Sequence, residues 1–165
     1  MILFSCKNDT NNATKETTSS KHNCPVYDEI NFASGGHFLN LNIGDSRETV
    51  KEKMKSMPIA DEDDGAVWFK KNIGTFEYSV DTYFEDEALY SVDVFVYFYD
   101  NDFNVNTEDC KALYTDWKKD FTAKYGAVDE LEDDKTTYSV WDDGNVEFEV
   151  GYDEDRAYIY SYKID

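Results

Sequence analysis

The residues with the clearest ligand spacing are Asp100, Asp102 and Asn104, which alternate with Asn101 and Phe103 just before a helical pattern. They imitate the opening of a calcium loop. Such a loop needs glycine at its sixth position and a bidentate glutamate at its twelfth. Here those places hold Val105 and Lys111. The three residues stay a weak calcium candidate, and a solvated turn that caps the next helix is the better reading, because Asn and Asp favour turns. Carboxylates also cluster at Asp61 to Asp64, Glu130 to Asp134 and Asp153 to Asp155. General acid/base work requires a pair held in a cleft whose environments drive the two pKa values apart. All three clusters fall in expected turns, where water screens them. His37 follows Ser34-Gly35-Gly36 in a flexible segment, and no serine or cysteine sits in a nucleophile motif, so a triad has nothing to build on. No phosphate-binding glycine loop is present. With three cysteines, two histidines and no C-x-x-C, a zinc site lacks ligands. Neither catalysis nor a cofactor is expected.

Recognition chemistry is better represented. The chain has 13 tyrosines. In the last apolar stretch Tyr158, Tyr160 and Tyr162 share one side of a strand, and Ala157, Ile159 and Ser161 share the other. Phe95, Tyr97 and Tyr99 alternate in the same way further upstream. Together these six rings make one aromatic-rich sheet face, and tyrosine suits recognition because it offers rigid area plus a hydroxyl. The competing reading is that the rings complete the core or lie under residues 26–43. A one-residue slip of register exchanges the two faces.

Those rings are carried by strands with a period of two. Phe76, Tyr78, Val80, Thr82 and Phe84 alternate with Glu77, Ser79, Asp81 and Glu85. Tyr90, Val92, Val94, Val96 and Phe98 follow the same rule, and the apolar residues on both sides of that strand suggest a central position. Further strands are read at Val67 to Lys70, Thr136 to Trp141, Asn145 to Tyr152 and Ala157 to Ile164, with Asp143-Gly144 as a hairpin turn. Leu39, Leu41 and Ile43 read as a short extra strand. One helix opens at Asp45 with Glu48 three residues on, buries Val50, Met54 and Met57, and stops at Pro58. A second is capped by Asn106 or Thr107, buries Leu113 or Tyr114, Trp117, Phe121 and Tyr125, and ends at Gly126.

The two halves look alike. Glu62-Asp63-Asp64 recurs as Glu132-Asp133-Asp134, and Phe76 to Val80 lines up with Val146 to Val150. The expected architecture is therefore α+β: an antiparallel sheet of about six strands from two tandem α-β-β-β units, 45–100 and 107–164, with both helices on one face. Leu41-Asn42-Ile43-Gly44-Asp45, leading into the first helix, is similar to the start of SmpA/OmlA-type outer-membrane lipoprotein domains. The doubled helix-plus-sheet layout resembles beta-lactamase inhibitor proteins. Both resemblances imply action by binding other proteins, and neither transfers a site.

Met1 to Cys6 is apolar, then small, then cysteine, and Leu3-Phe4-Ser5-Cys6 resembles the lipobox of bacterial lipoproteins, with Cys6 as the lipidated residue. Charge straight after it, at Lys7 and Asp9, is similar to the surface-export signals of some such proteins. A full signal has an apolar stretch of about 7 to 15 residues. Met1 therefore reads as an internal methionine of a longer run. Lys7 to Asn23 is rich in Lys, Asn, Thr and Ser and reads as a disordered tether, so residues 1–24 are signal and stalk and 25–165 one domain. The resemblance implies a lipid-anchored place in the cell envelope, periplasmic or at the surface. In that oxidising setting Cys24 and Cys110 form either one disulfide or two separate thiols.

The net charge is −20, and it excludes much. Phosphate backbones and anionic headgroups are repelled, so nucleic acid is not a partner and the only membrane link is the anchor. The expected function is a non-enzymatic module that binds another protein, one with basic character, through the aromatic face or the acidic rim. The alternatives are an immunity-type or inhibitor protein that neutralises a basic toxin or enzyme, which its negative field would steer, and, third, a hydrolase or carbohydrate-acting enzyme.

Overall fold

Long runs of alternating apolar residues dictate strands with one dry face, and the dry faces must share a cover. The computed structural model describes Cys24, Tyr27, residues 39–100, Asp102 and residues 104–164. Among them are eight strands: β1 (Ile59–Glu62), β2 (Ala66–Ile73), β3 (Phe76–Glu85), β4 (Ala88–Phe98), β5 (Leu131–Asp133), β6 (Thr136–Asp142), β7 (Val146–Tyr152) and β8 (Ala157–Lys163). Two helices accompany them, α1 (Arg47–Lys53) and α2 (Thr107–Tyr125). The strands form one antiparallel sheet in the order β1-β2-β3-β4-β8-β7-β6-β5.

This corrects the expected six strands in two tandem units under a matched pair of helices. The sheet has eight strands because the acidic segments read as turns, at Asp61 to Asp64 and Glu130 to Asp134, hold the end of edge strand β1 and the whole of edge strand β5, every residue of which is exposed. An edge strand with both sides wet carries no apolar period to read. The helices are also unequal. α2 has 19 residues and lies over β4, β6, β7 and β8, whereas α1 has seven, buries only Val50 within its span, and meets the sheet at β4.

The core lies on one side of the sheet. Phe76, Tyr78, Val80, Thr82 and Phe84 of β3 all point into it, as the alternation requires, and so do Val146, Phe148 and Val150 of β7. Trp117, Trp141, Phe69 and Phe148 are its largest fully buried side chains. The buried hydroxyls are paired: Thr82 donates to the Val67 carbonyl at 2.8 Å and Ser161 to the Val92 carbonyl at 3.0 Å. The α2 helix is held by Asn106 as N-cap, Glu108 and Asp109 in its first turn, and Gly126 at φ 100° where it stops.

Local details depart from the sequence reading. Ser46, not Asp45, caps α1, and the Asp45 carboxylate accepts from the Asn42 amide and pairs with Lys53 at 2.7 Å. Leu39 and Asn40 form a turn with φ of 50° and 63° instead of a strand. A bulge between Tyr83 and Phe84 pairs Leu89 with Phe84, so Leu89 enters the core and Tyr90 turns outward, 40% exposed.

Cys24 and Tyr27 meet α2 through polar contacts. The Cys24 amide donates to the Asp116 carboxylate at 2.7 Å, and the Tyr27 hydroxyl donates to Asp120. Cys110 is a free thiol, so the bridge between Cys24 and Cys110 is not formed. Cys6 and the tether lie outside the described residues. Among the described residues no helix is long and apolar enough to cross a membrane.

The open sheet face as a candidate binding site

The side of the sheet away from the core carries the other half of each alternation. β4 contributes Asp93, Phe95 and Tyr97, with Tyr99 just past its end; β8 contributes Tyr158, Tyr160 and Tyr162. Phe95 pairs directly with Tyr158, so the structure brings the six expected rings together on one face. Phe95 and Tyr160 meet edge to face at 5.7 Å, Tyr158 and Tyr160 lie 4.7 Å apart, and Tyr97 stacks on Tyr99 at 6.5 Å.

The rings are not equally available. Tyr158 is only 4% exposed. Its ring lies across β7 over Gly151, where a Cβ would fall 2.6 Å from the Tyr158 ring and 2.8 Å from the Tyr138 Cβ. Its hydroxyl donates to Glu149 at 2.9 Å. Tyr162, by contrast, is 40% exposed and donates to Glu147. That bond, then burial, pushes its hydroxyl up to about 12.

Register adds residues that the sequence reading did not assemble. One row crosses six strands: Trp68 opposite Asp81, Asp81 opposite Asp93, Asp93 opposite Tyr160, Tyr160 opposite Glu149, and Glu149 opposite Val140. At its centre two carboxylates face each other across adjacent strands. Directly opposed residues have Cβ atoms about 4.5–5.5 Å apart, and like charges placed there repel. Burial pushes the Asp81 carboxyl up to about 6, opposed by the charge of Arg156. Burial likewise raises Asp93 to about 6; a hydrogen bond from Ser91 at 3.3 Å lowers it and the Asp81 charge adds to the rise. Tyr83 and Tyr160 flank the pair, and both hydroxyls are raised, first by their own burial and further by the Asp93 charge. Tyr83 and Tyr90 extend the aromatic surface with their rings 6.4 Å apart.

The cation nearest in field to this pair is Arg156, and it is engaged elsewhere. Its guanidinium lies 4.4 Å from the Phe95 ring centre, donates to the Tyr97 hydroxyl at 3.1 Å and meets Asp153 at 3.5 Å. Among the described residues no lysine or arginine forms an ion pair with Asp81 or Asp93.

The other candidates resolve into structural roles. Asp100 accepts from the Asp102 amide at 2.8 Å, the Asn104 amide at 2.9 Å and the Asn104 side chain, so the calcium-like segment closes on its own backbone. Those bonds hold the Asp100 carboxyl below its ordinary range. Among the described residues no group of three or more metal-ligating side chains converges. The Asp61 to Asp64 turn is organised by Arg47, which donates to the carbonyls of Asp63 at 2.7 Å, Ala66 at 3.3 Å and Asp64, and stacks 4.6 Å from the Phe84 ring centre. Two surface depressions, one around Arg47, Glu62 and Glu87 and one around Asn72, Phe76 and Tyr99, lie away from the Asp81–Asp93 pair.

The arrangement can do recognition chemistry: a paired, half-buried negative charge framed by aromatic rings on a broad sheet face. Comparisons of the chain with family models, with curated proteins and with solved structures find no match, so the reading of its function rests on this geometry.

Proposed function

We propose that the chain is a non-enzymatic protein-binding module whose recognition surface is the open sheet face, and that its partner is basic. One observation carries this reading: Trp68, Tyr83, Phe95, Tyr97, Tyr160 and Tyr162 share a face with Asp81, Asp93, Glu147 and Glu149. Aromatic residues give rigid contact area and carboxylates give the sign of the partner. A net charge of −20 adds long-range attraction for a basic surface and speeds the encounter. An inhibitor of a basic toxin or enzyme is one form this module takes, favoured by the same charge.

The site of action in this proposal is the cell envelope, with Cys6 as the lipid anchor, supported by Leu3-Phe4-Ser5-Cys6 alone. The recognition face is tested by placing a photoreactive phenylalanine at Tyr162 or Tyr90, both 40% exposed, in the full chain within the cells that make it. Covalent adducts with a discrete protein are expected from these two positions and not from Ile59 or Leu131 on the sheet edges. Adducts only from the edge positions would move the recognition surface off this face.

A further inference from the structure

The Asp81–Asp93 pair is an unusual thing to leave on a sheet. Directly opposed like charges work against strand pairing, and half-burial raises the cost of ionising each. A cation placed between them removes both penalties at once. The described residues supply none, since Arg156 is held by Phe95, Tyr97 and Asp153. We infer that the pair, framed by Trp68, Tyr83 and Tyr160, is the seat for an arginine side chain of the partner, an assignment that rests on reading this face as a protein-binding surface.

Three observations select arginine. First, the acceptors sit side by side on neighbouring strands, which suits a planar fork of N–H donors better than a point charge. Second, the frame is aromatic: Trp68 lies on one side of the row and Tyr160 on the other, with Tyr83 adjacent. A guanidinium stacks on such rings and sheds water more readily than an ammonium does. The chain uses that contact internally, because its two arginines, Arg47 and Arg156, both lie over phenylalanine rings, at 4.6 and 4.4 Å. Third, charge complementarity excludes an anionic occupant: Glu149 continues the row beyond Tyr160, and Glu147 pairs with Tyr162 in the next row.

The seat responds to pH through groups that face it from four strands and one loop. These are the pair itself on β3 and β4, Tyr83 on β3, Ser91 on β4, Tyr160 on β8, Glu149 on β7 and Arg156 just before β8. The tyrosine hydroxyls are neutral in this range and Arg156 stays charged. The two aspartates are the groups that titrate near 6, and protonating them removes the attraction for a guanidinium.

The test is an NMR titration of the nitrogen-15-labelled full chain with N-acetyl-arginine methylamide, with the lysine and citrulline analogues as comparisons. At about pH 7.5, well above the carboxyl titration, the arginine probe is expected to give saturable shifts at Trp68, Asp81, Asp93 and Tyr160. Binding should be roughly tenfold weaker for lysine and absent for citrulline, which has the same shape without charge. An Asp81→Asn/Asp93→Asn variant should lose saturation, while Asp133→Asn on the edge strand keeps it. Equal shifts with citrulline, equal affinity for lysine, or arginine shifts confined to the Asp61 to Asp64 turn would each overturn the assignment. Photo-adducts from Tyr162 that persist undiminished in the double variant would leave the binding face standing and remove the arginine seat. Absence of adducts in the wild type would remove the face itself.

Discussion

Replacing Asp81 by asparagine should stabilise the free protein, and by an amount that depends on pH in an uncommon direction. The folded carboxyl is raised from 3.8 to about 6, chiefly by burial. Such a rise corresponds to at most about 3 kcal/mol of penalty on the ionised form. Asp81 is only half-buried, and water reaching it screens much of that field, so about 1 kcal/mol is the expected net gain for Asp81→Asn near neutral pH. The sign follows from proton binding. Between 3.8 and about 6 the folded state holds more protons at this position than the unfolded state does, so stability from this group falls as pH rises through that window. Below the window both states are protonated and the penalty is gone. Urea melts of wild type and Asp81→Asn at several pH values read this directly. The gap should be full above about pH 6.5 and close as pH drops towards about 4. Glu85→Gln, at the exposed end of the same strand, is the control for general relief of net charge. A variant that is less stable than wild type, or a gap that does not change with pH, would refute the reasoning that burial burdens the Asp81 carboxylate.

Other expectations follow from single contacts. Gly151→Ala puts a methyl group against the Tyr158 ring and the Tyr138 Cβ, and overpacking of that kind costs about 1–3 kcal/mol; a thermal melt with near-ultraviolet dichroism checks it. Phe148→Ala removes a fully buried ring that contacts Phe121 and Tyr125, with an expected loss of about 3–5 kcal/mol in a denaturant melt. Burial pushes the Cys110 thiol up to about 12, so it should resist alkylation by iodoacetamide at neutral pH in the folded chain and react on unfolding, read by mass spectrometry. Cys6→Ser should abolish incorporation of a fatty-acid label in producing cells; labelling that survives the change would end the anchoring proposal.

Much of this architecture was legible because alternation is a local property. The five-residue dry face of β3 and the central place of β4 follow from their own side chains, and both are seen. The six-ring face was legible for the same reason, since Phe95 and Tyr158 each lie opposite the core side of their strands. The edge strands β1 and β5 were not legible, because a wet, acidic strand and a wet, acidic turn have the same composition. Tyr90 was misplaced by a bulge, which inserts a residue without leaving a mark in the apolar pattern. The Asp81–Asp93 pair was half visible. Each aspartate falls on the polar side of its own alternation, and what the sequence cannot supply is the register that sets one against the other. Arg47 shows the same limit: its three carbonyl partners lie 16 to 19 residues away and meet it only once β1 and β2 have turned.

The account stands on the aromatic and acidic face being open to solvent in the complete chain. Hydroxyl-radical footprinting of that chain, read tyrosine by tyrosine, measures this most directly. Tyr162 and Tyr90 should oxidise readily, while Tyr78 and Tyr114 in the core stay protected. Protection of Tyr162 and Tyr90 to the level of the core tyrosines would mean that another part of the chain covers the face, and the binding role would fall with it.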